Sequence, residues 1–309
     1  MTEKKLYVHG SKFHLDDALC AAMGKIMGYT YERTDDPNIC NVAGPEDIVA
    51  DFGRKYDGVR FFDHHQFDVP VPQDIGLNTR FPFSKVAAAG LLWAAKGADV
   101  IRAIDPTVQG SNIQEILDTI DIQIIAPSDH IDTGSGDVPP GICTLSYFVS
   151  AFAPDDQDPA SFHQRFHQLV DNSITPFLES AIRKVIFKIS SREYISAAPI
   201  VDGKIIVFEK YVPWVSEVQH TERFNNCLFC VFPSLRGGWS AQCIPIEKSY
   251  KTRKSFPETW GGQSGKHFAE MVGERFEPGD NFFCHNACFL IAAPTKEQVI
   301  SMCNKAINA

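Results

Sequence analysis

Three adjacent side chains that can bind metal ions, Asp63, His64 and His65, close a short apolar run at residues 59–62. A run of this length and composition is typical of a β-strand. Because side chains alternate along a strand, Asp63 and His65 would lie on one side and His64 on the other, and a bend after the strand would bring all three into one cleft. Polar groups buried without a partner cost free energy. The triplet therefore indicates a metal or catalytic site, with a polar surface loop as the alternative.

Three further clusters of histidine and aspartate lie within the first 135 residues. One is on a strand-to-helix loop, one follows a second apolar run at residues 48–50, and one is at the end of a run with helical spacing. The members are His9, His14 and Asp16, then Asp51, then Asp129, His130 and Asp132. Imidazole and carboxylate ligands without cysteine suit a borderline or hard divalent ion, so we expect Mn²⁺, with Mg²⁺ or Zn²⁺ as alternatives.

The elements that must position these clusters alternate between strand and helix patterns. Strands are predicted at residues 6–8, 47–53 and 59–62, and helices at residues 18–27, 84–97 (capped by Ser84) and 113–125. This alternation predicts an α/β fold with a doubly wound, mostly parallel sheet, and such folds keep their sites at the carboxyl ends of the strands. Asp129 and Asp132 have i, i+3 spacing, which places both carboxylates on one side of a helix.

The second half of the chain has a different pattern. A polar segment flanked by prolines at residues 153–159 indicates a domain edge, and a helix at residues 160–188, interrupted at Pro176, connects the halves. A hairpin is predicted at residues 200–208, strands at 228–233, 240–246 and 289–293, and a capped helix at 295–306. We therefore predict a metal-binding domain at residues 1–157, followed by a linker helix and a smaller α+β substrate-binding domain at residues 158–309.

Composition limits the possible functions. The chain has 309 residues, of which 44% are hydrophobic and 22% charged, as in globular proteins. A net charge of −9 argues against a surface coated with basic charge for long duplex nucleic acid. We find no apolar run long enough for a membrane helix and no room for a leader peptide before the first strand, so we expect a cytoplasmic protein without membrane contact.

Nine cysteines are scattered through the chain, most of them in apolar runs, which favours reduced thiols. Cys227 and Cys230, or Cys284 and Cys288, could be halves of zinc sites. The strand pattern around Cys227 instead favours buried core cysteines, because a free cysteine behaves as a small hydrophobic residue.

In order and over nearly the full length, these motifs resemble the Myg-one (melanocyte proliferating gene one) family, within the DHH phosphoesterase superfamily. The matching segments are His-x4-Phe-His-x-Asp-Asp-Ala-Leu at residues 9–19, Asp-x-Gly-x-x-Tyr-Asp at 51–57, Asp-His-His-Gln at 63–66, Ala-Gly-Leu at 89–91 and Asp-x-x-Asp at 129–132. In the second half they are Pro213-Trp214, Gly238-Trp239 with Gln242 and Pro245, then Arg253, Pro257, Trp260 and His285. One segment departs from the family pattern: the Gly-rich stretch after the last histidine is Phe-Leu-Ile-Ala-Ala-Pro at residues 289–294.

The resemblance implies a hydrolase that uses two divalent ions about 3.5–4 Å apart and a bridging hydroxide. It implies that Asp51 bridges the ions. His9 and His14 would complete one site, and Asp16, His64 and either Asp129 or Asp132 the other. We expect Asp63 to orient a neighbouring imidazole and His65 to contact a phosphate oxygen. Asp17 and His130 are interpreted as solvated neighbours.

The C-terminal half should present the substrate. Lys248, Lys251, Arg253 and Lys254 surround Tyr250 and Phe256, and cations interleaved with rings are typical of a groove for single-stranded nucleic acid. A solvated strand edge guarded by lysines is the alternative. By resemblance, His285 would face the catalytic site.

Three functions remain open at this point. The favoured one is a metal-dependent exonuclease that acts on RNA or short single-stranded oligonucleotides. The second is a small-molecule phosphohydrolase for a nucleotide, a cyclic dinucleotide or a phosphoanhydride. The third is a non-enzymatic module that is stabilised by metal. A homodimer is also left open.

Overall fold

The computed structural model describes residues 3–10, 12–80, 82–83, 85–136, 142–155, 158–247, 249 and 251–309. Contacts divide the chain into two units, Met1–Ile186 and Phe187–Ala309. This division falls inside a helix, whereas the predicted domain boundary lies at residues 157 and 158. The predicted capping residue Ser84 and the pair Lys248 and Tyr250 lie outside the described residues.

The first unit contains a parallel sheet of four strands in the order β2-β1-β3-β4. The strands are β1 (Lys5–His9), β2 (Thr30–Thr34), β3 (Ile48–Ala50) and β4 (Phe61–Phe62). The helices are α1 (Leu15–Ile26), α2 (Ile39–Val42), α3 (Ala88–Ile104), α4 (Ser111–Ile120), α5 (Ala126–Asp132), α6 (Leu145–Ser150) and α7 (Pro159–Leu169). The next helix, α8 (Thr175–Ser190), crosses the division between the units. Strand β2 was missed because its sequence, Thr-Tyr-Glu-Arg-Thr, belongs to a largely solvated edge strand.

Two helices in this unit contain a wider π-helical turn just before a proline. Asp121–Ile125 precedes Pro127, and Val170–Ile174 precedes Pro176. Proline has no N–H to donate to the preceding turn and its ring crowds that turn, and a wide turn relieves both problems. The predicted interruption at Pro176 is therefore a change of helical pitch with helix on both sides of it.

The second unit contains a mixed sheet of six strands in the order β5-β6-β7-β8-β10-β9. The strands are β5 (Ile200–Val201), β6 (Ile205–Val207), β7 (Phe229–Pro233), β8 (Trp239–Cys243), β9 (Phe283–Cys284) and β10 (Leu290–Ala293). The helices are α9 (Arg192–Ser196), α10 (Val215–His220), α11 (Gly265–Met271) and α12 (Lys296–Asn308). Strands β6 and β7 pair in parallel, and the other paired strands are antiparallel.

Both faces of this mixed sheet are buried. Ile205 and Phe229 belong to one apolar cluster, which also includes residues of α11 and α12, while their neighbours Ile206 and Cys230 belong to a second cluster that includes residues of α9 and α10. This is the alternation of period two that a pleated strand imposes. The expectation of core cysteines is confirmed for Cys227, Cys230, Cys284 and Cys288, which are buried.

The α/β class is confirmed, with a parallel sheet in the first half of the chain and a mixed sheet in the second. The doubly wound placement of helices on both faces of the first sheet stays a prediction. The segment that replaces the family's Gly-rich stretch forms β10, which pairs with β8 on one side and β9 on the other.

Candidate metal centre

The site lies at the carboxyl ends of the parallel strands. His9 is the last residue of β1, Asp51 directly follows β3, and His64 lies two residues after the end of β4. Because the strands run in the same direction, their ends meet at one edge of the sheet, as the sequence predicts. Asp51 is only 3% exposed.

Asp51, His64 and Asp132 form the centre of the cluster. The Nε2 atom of His64 lies 3.1 Å from Asp51 Oδ1 and 3.3 Å from Asp132 Oδ2. Burial disfavours the protonated imidazole, but the hydrogen bond and charge of Asp51 outweigh it, so the pKa of His64 is raised. One imidazole nitrogen therefore lies between two carboxylates, where a cation is electrostatically favoured.

A second group of ligand atoms shares Asp51. His9, Asp17 and Asp51 each offer an atom, and these atoms all lie within 4.8 Å of one another. Asp17 is fully buried, one of its oxygens accepts the backbone N–H of His9 at 3.0 Å, and the other has no hydrogen-bond partner. The interpretation of Asp17 as a solvated neighbour is therefore wrong. Asp17 lies in the first turn of α1, where every residue from Leu15 to Gly24 is buried. The apolar run that follows Asp17 in the sequence could have indicated that this carboxylate is buried.

Asp16 belongs to a third group, with His64 and Asp132. Its carboxylate accepts the backbone N–H groups of Ala88 at 3.0 Å and Ala89 at 2.7 Å, at the start of α3. The first N–H groups of a helix have no partner within the helix and carry partial positive charge, so they stabilise this anion. The N-terminus of α3 thus stabilises one carboxylate of the cluster, that of Asp16.

Asp129 and Asp132 have different surroundings although they share a helix. Asp129 is fully buried, pairs with the guanidinium of Arg80 and accepts the N–H of Gly90 at 3.2 Å. Arg80, itself fully buried, also binds Asp121 through two hydrogen bonds of 2.9 and 2.7 Å. Asp132 contacts His64 and lies 3.6 Å from His14. The structure therefore brings Asp132, and not Asp129, into the groups of ligand atoms.

Asp63 is buried and contacts His65. Its Oδ1 atom accepts the backbone N–H of His65 at 3.1 Å and lies 2.7 Å from His65 Nδ1, and its Oδ2 accepts the N–H of Arg54. The imidazole of His65 is thereby fixed through Nδ1, which leaves Nε2 for another partner. His65, His64 and Asp51 also form a group of potential ligands.

A cavity of about 550 Å³ opens onto the cluster. Its polar lining includes His14, the side chain that the resemblance assigned to the first ion together with His9. Val69, Pro70 and Val71 form an apolar wall, and the exposed residue Lys85 adds a cation. A phosphorylated ligand of modest size fits such a lining.

The donor set fits divalent cations. Burial raises the pKa of the carboxyl groups of Asp16, Asp17 and Asp132, and the charge of Asp51 raises each of them further. Acids crowded in this way repel one another unless protons or cations neutralise them. Carboxylates and imidazoles together suit Mn²⁺ or Zn²⁺ and admit Mg²⁺.

The predicted substrate residues of the second unit are engaged with the protein itself. Arg253 Nη1 donates to the backbone oxygens of Phe224 and, at 3.0 Å, of Cys227. Lys254 Nζ donates to the oxygen of Ile307 in the last turn of α12, at 3.2 Å. Arg253 and Lys254 therefore hold loops and a helix end in place, and their assignment to a surface for single-stranded nucleic acid stays a prediction.

The remaining residues of that predicted surface differ in their environment. Lys251 is exposed. Phe256 is 1% exposed and stacks on Phe229, with ring centroids 4.7 Å apart, so it belongs to the core. His285 follows β9, accepts the N–H of Ala287 through Nδ1 and packs on Phe289 at 4.4 Å between centroids.

Comparisons of this sequence with known proteins all point to the same family. Residues 5–307 match the family model MYG1_exonuc, described as Uncharacterised protein family (UPF0160). The chain is 26% identical to a MYG1 protein of Schizosaccharomyces pombe, covering 98% of this chain and 97% of that protein. It is 24% identical to the MYG1 exonuclease of Rattus norvegicus, covering 98% and 84%.

One solved structure, a pGpG-specific phosphodiesterase, PggH, from Vibrio cholerae, aligns over 100% of this chain and 98% of its own with 12% identity and a TM-score of 0.27, which is too low to establish a shared fold. Among the described residues, no helix combines the length and the apolar character needed to span a membrane.

Proposed function

The chain belongs to the MYG1 exonuclease family, and from this premise we propose that it is a divalent-metal-dependent phosphodiesterase that removes nucleotides from RNA or short single-stranded oligonucleotides. Family membership makes the protein a hydrolase of the nuclease type. The observation that carries the metal-dependent mechanism is the position of Asp51. This carboxylate belongs to one group of ligand atoms with His9 and Asp17 and to another with His64 and His65.

The ligand assignment follows from these groups. Asp51 would bridge two ions, with His9 and Asp17 on one side and Asp16, His64 and Asp132 on the other. His14, beside Asp132, would stand next to the second ion. Two bound ions would supply a nucleophilic water at neutral pH and stabilise charge on the phosphoryl oxygens.

The other side chains of the site would orient the substrate. Asp63 holds His65 through Nδ1, so that Nε2 can meet a phosphate oxygen. Lys85, at the rim of the cavity, offers a cation for a second phosphate. His285 stays a predicted substrate contact from the second unit.

The engaged cations of the second unit favour a short substrate. With Arg253 and Lys254 occupied by backbone oxygens, fewer charges are available to follow a long single strand. The same observation supports a second candidate function, hydrolysis of a dinucleotide or another small phosphodiester. RNA rather than DNA, Mn²⁺ as the ion, a cytoplasmic location and a homodimer stay predictions.

The test compares labelled ten-nucleotide RNA and DNA with a dinucleotide, each with Mn²⁺ and with excess chelator. We expect mononucleotides released stepwise from one end of the RNA only when the ion is present. The His64→Ala variant should lose this activity, and Asp99→Asn, an exposed surface change, should keep it. Cleavage of the dinucleotide alone would select the second function, and metal-independent cleavage would contradict both.

A further inference from the structure

A second cavity, of about 400 Å³, borders the same cluster. His14 and Asp132 line both this cavity and the larger one, and Asp16 lines the second alone. Residues of α6 also line this cavity, and Phe13, Leu15 and Ile131 make part of its lining apolar. We call this the α6 cavity. A phosphodiester bound at the cluster therefore has two adjoining cavities for its substituents.

The lining of the α6 cavity is suited to an uncharged group. Its α6 wall carries hydroxyl side chains, and no lysine or arginine is among the described residues that line it. The larger cavity contains Lys85 and several imidazoles. The described lining of the α6 cavity offers no lysine or arginine to a second phosphate, whereas a sugar and base need none.

Two of these hydroxyl groups form hydrogen bonds within α6 and its cap. Thr144 Oγ1 accepts the N–H of Tyr147 at 3.1 Å and caps α6, and Ser150 Oγ donates to the oxygen of Tyr147 at 2.9 Å. These bonds stabilise the conformation of the short helix. The side chains of Ser128 and Tyr147 take no part in these bonds.

Ser128 and Tyr147 have the properties expected of ligand contacts. Ser128 is 2% exposed, and its Oγ has no hydrogen-bond partner. A buried hydroxyl in this state costs free energy that a bound polar group would recover. Tyr147 is 67% exposed although it is a large aromatic residue. Exposed rings beside a phosphate site are what bases stack on.

We infer that the α6 cavity is the nucleoside subsite of this enzyme, in which Tyr147 stacks on the base and the Ser128 hydroxyl binds the sugar. The inference rests on the proposed phosphodiesterase function and adds the place where one nucleoside of the scissile bond is held. Recognition of one nucleoside beside the cluster does not require a long strand, which agrees with the occupied cations of the second unit.

The test uses two phosphodiesters, adenylyl-adenosine and methyl p-nitrophenyl phosphate, of which only the first contains a nucleoside. Tyr147→Ala should raise KM for adenylyl-adenosine about tenfold, the effect expected from losing one base stack, and leave methyl p-nitrophenyl phosphate unchanged. Tyr147→Phe keeps the ring and should restore KM. Ser128→Ala should raise KM for adenylyl-adenosine only. Tyr211→Ala, a tyrosine 56% exposed in the second unit, is the matched control.

A second measurement does not depend on catalysis or on metal. Adenosine binding, followed by saturation-transfer NMR in the presence of chelator, should be weakened by Tyr147→Ala and not by Tyr211→Ala. Equal losses on both phosphodiesters, or unchanged KM and adenosine binding in Tyr147→Ala, would overturn the subsite. If the wild-type protein cleaves neither phosphodiester with Mn²⁺, the proposed function fails, and adenosine binding alone decides the subsite.

Discussion

At the residue scale, Asp51 combines an unusual backbone conformation with a position at the centre of the candidate metal site. Its φ angle is +65°, in the left-handed region that residues with a side chain rarely adopt, although aspartate and asparagine tolerate it best. Such a conformation costs about 1–3 kcal/mol and persists when the surroundings impose it. Here the N–H of Asp51 donates to Phe62 O at 3.0 Å and ties the turn to β4. The turn delivers the carboxylate between His9 and His64.

Asp51→Asn tests this residue without disturbing its backbone, because asparagine has the same shape and tolerates the same φ. The bridging anion would be lost. We expect Mn²⁺-dependent turnover to fall about a thousandfold, corresponding to about 4 kcal/mol of transition-state stabilisation, with little change in thermal unfolding. Initial rates and circular dichroism melts give both values, and Asp99→Asn is the control. Near-normal turnover would disprove the bridging role.

The two aspartates of α5 should respond differently to the same change. Asp132→Asn should weaken metal binding and activity with little loss of stability. Asp129→Asn removes one charge from the buried pair with Arg80, and breaking such a pair costs about 3–5 kcal/mol. We expect its free energy of unfolding, measured by denaturant titration at pH 8, above the pKa of about 7 that burial gives the Asp129 carboxyl, to fall by about that amount. The opposite distribution of effects would place Asp129 at the ions.

The crowded acids predict how stability depends on pH in the chelated protein. Burial raises the pKa of Asp129 to about 7 and that of Asp132 in the same direction, while Asp51 raises that of His64 against the effect of burial. The folded chain then binds more protons than the unfolded chain, so stability falls as pH rises toward 7 and beyond. Burial lowers the pKa of His167, so the contribution of this group to stability rises with pH. It is one group against the three with raised pKa values.

We therefore expect the melting temperature with chelator to be higher at pH 6 than at pH 8, and Mn²⁺ to raise it more at pH 8, where protons no longer compete for the ligands. Calorimetric scans at both pH values, with and without Mn²⁺, measure this difference. A melting temperature with chelator that rises with pH would contradict the assigned shifts.

At the element scale, the strands that end at the site are the ones that the sequence predicts best. Each is an apolar run that stops at a histidine or an aspartate, and parallel strands bring such ends together. Asp17 and the choice between Asp129 and Asp132 could not be predicted in this way. Both depend on tertiary contacts, the first on burial of α1 and the second on Arg80, which lies 49 residues before Asp129 in the sequence.

The loop that contains Arg253 gives a prediction about an element of the second unit. Its guanidinium donates to backbone oxygens that precede β7, so Arg253→Gln should lower the free energy of unfolding by about 1–3 kcal/mol. Lys251→Gln is the matched control, because Lys251 is exposed, and should leave stability unchanged. If Lys251 contacts a phosphate, the same variant should reduce the salt slope of oligonucleotide binding by about 0.7. A Lys251→Gln variant with a lowered free energy of unfolding would contradict the assignment of stability to Arg253 and not to Lys251.

At the scale of the whole molecule, a net charge of −9 and a buried group of acids give the chain little long-range attraction for a polyanion. Bound divalent ions would change this locally, because they place positive charge at the point where the phosphate must lie. The division of the chain into two units is compatible with one unit for chemistry and another for the remainder of the substrate, which stays a prediction.

The two-metal mechanism is tested most directly by the number of divalent ions bound per chain. Mn²⁺ titration with elemental analysis gives this number, and hydrolysis assays on the same samples relate it to activity. We expect two ions in the wild-type protein and fewer in Asp51→Asn, with activity abolished by chelator and restored by Mn²⁺. A wild-type protein that binds no ion and hydrolyses phosphodiesters equally well in chelator would contradict the two-metal mechanism.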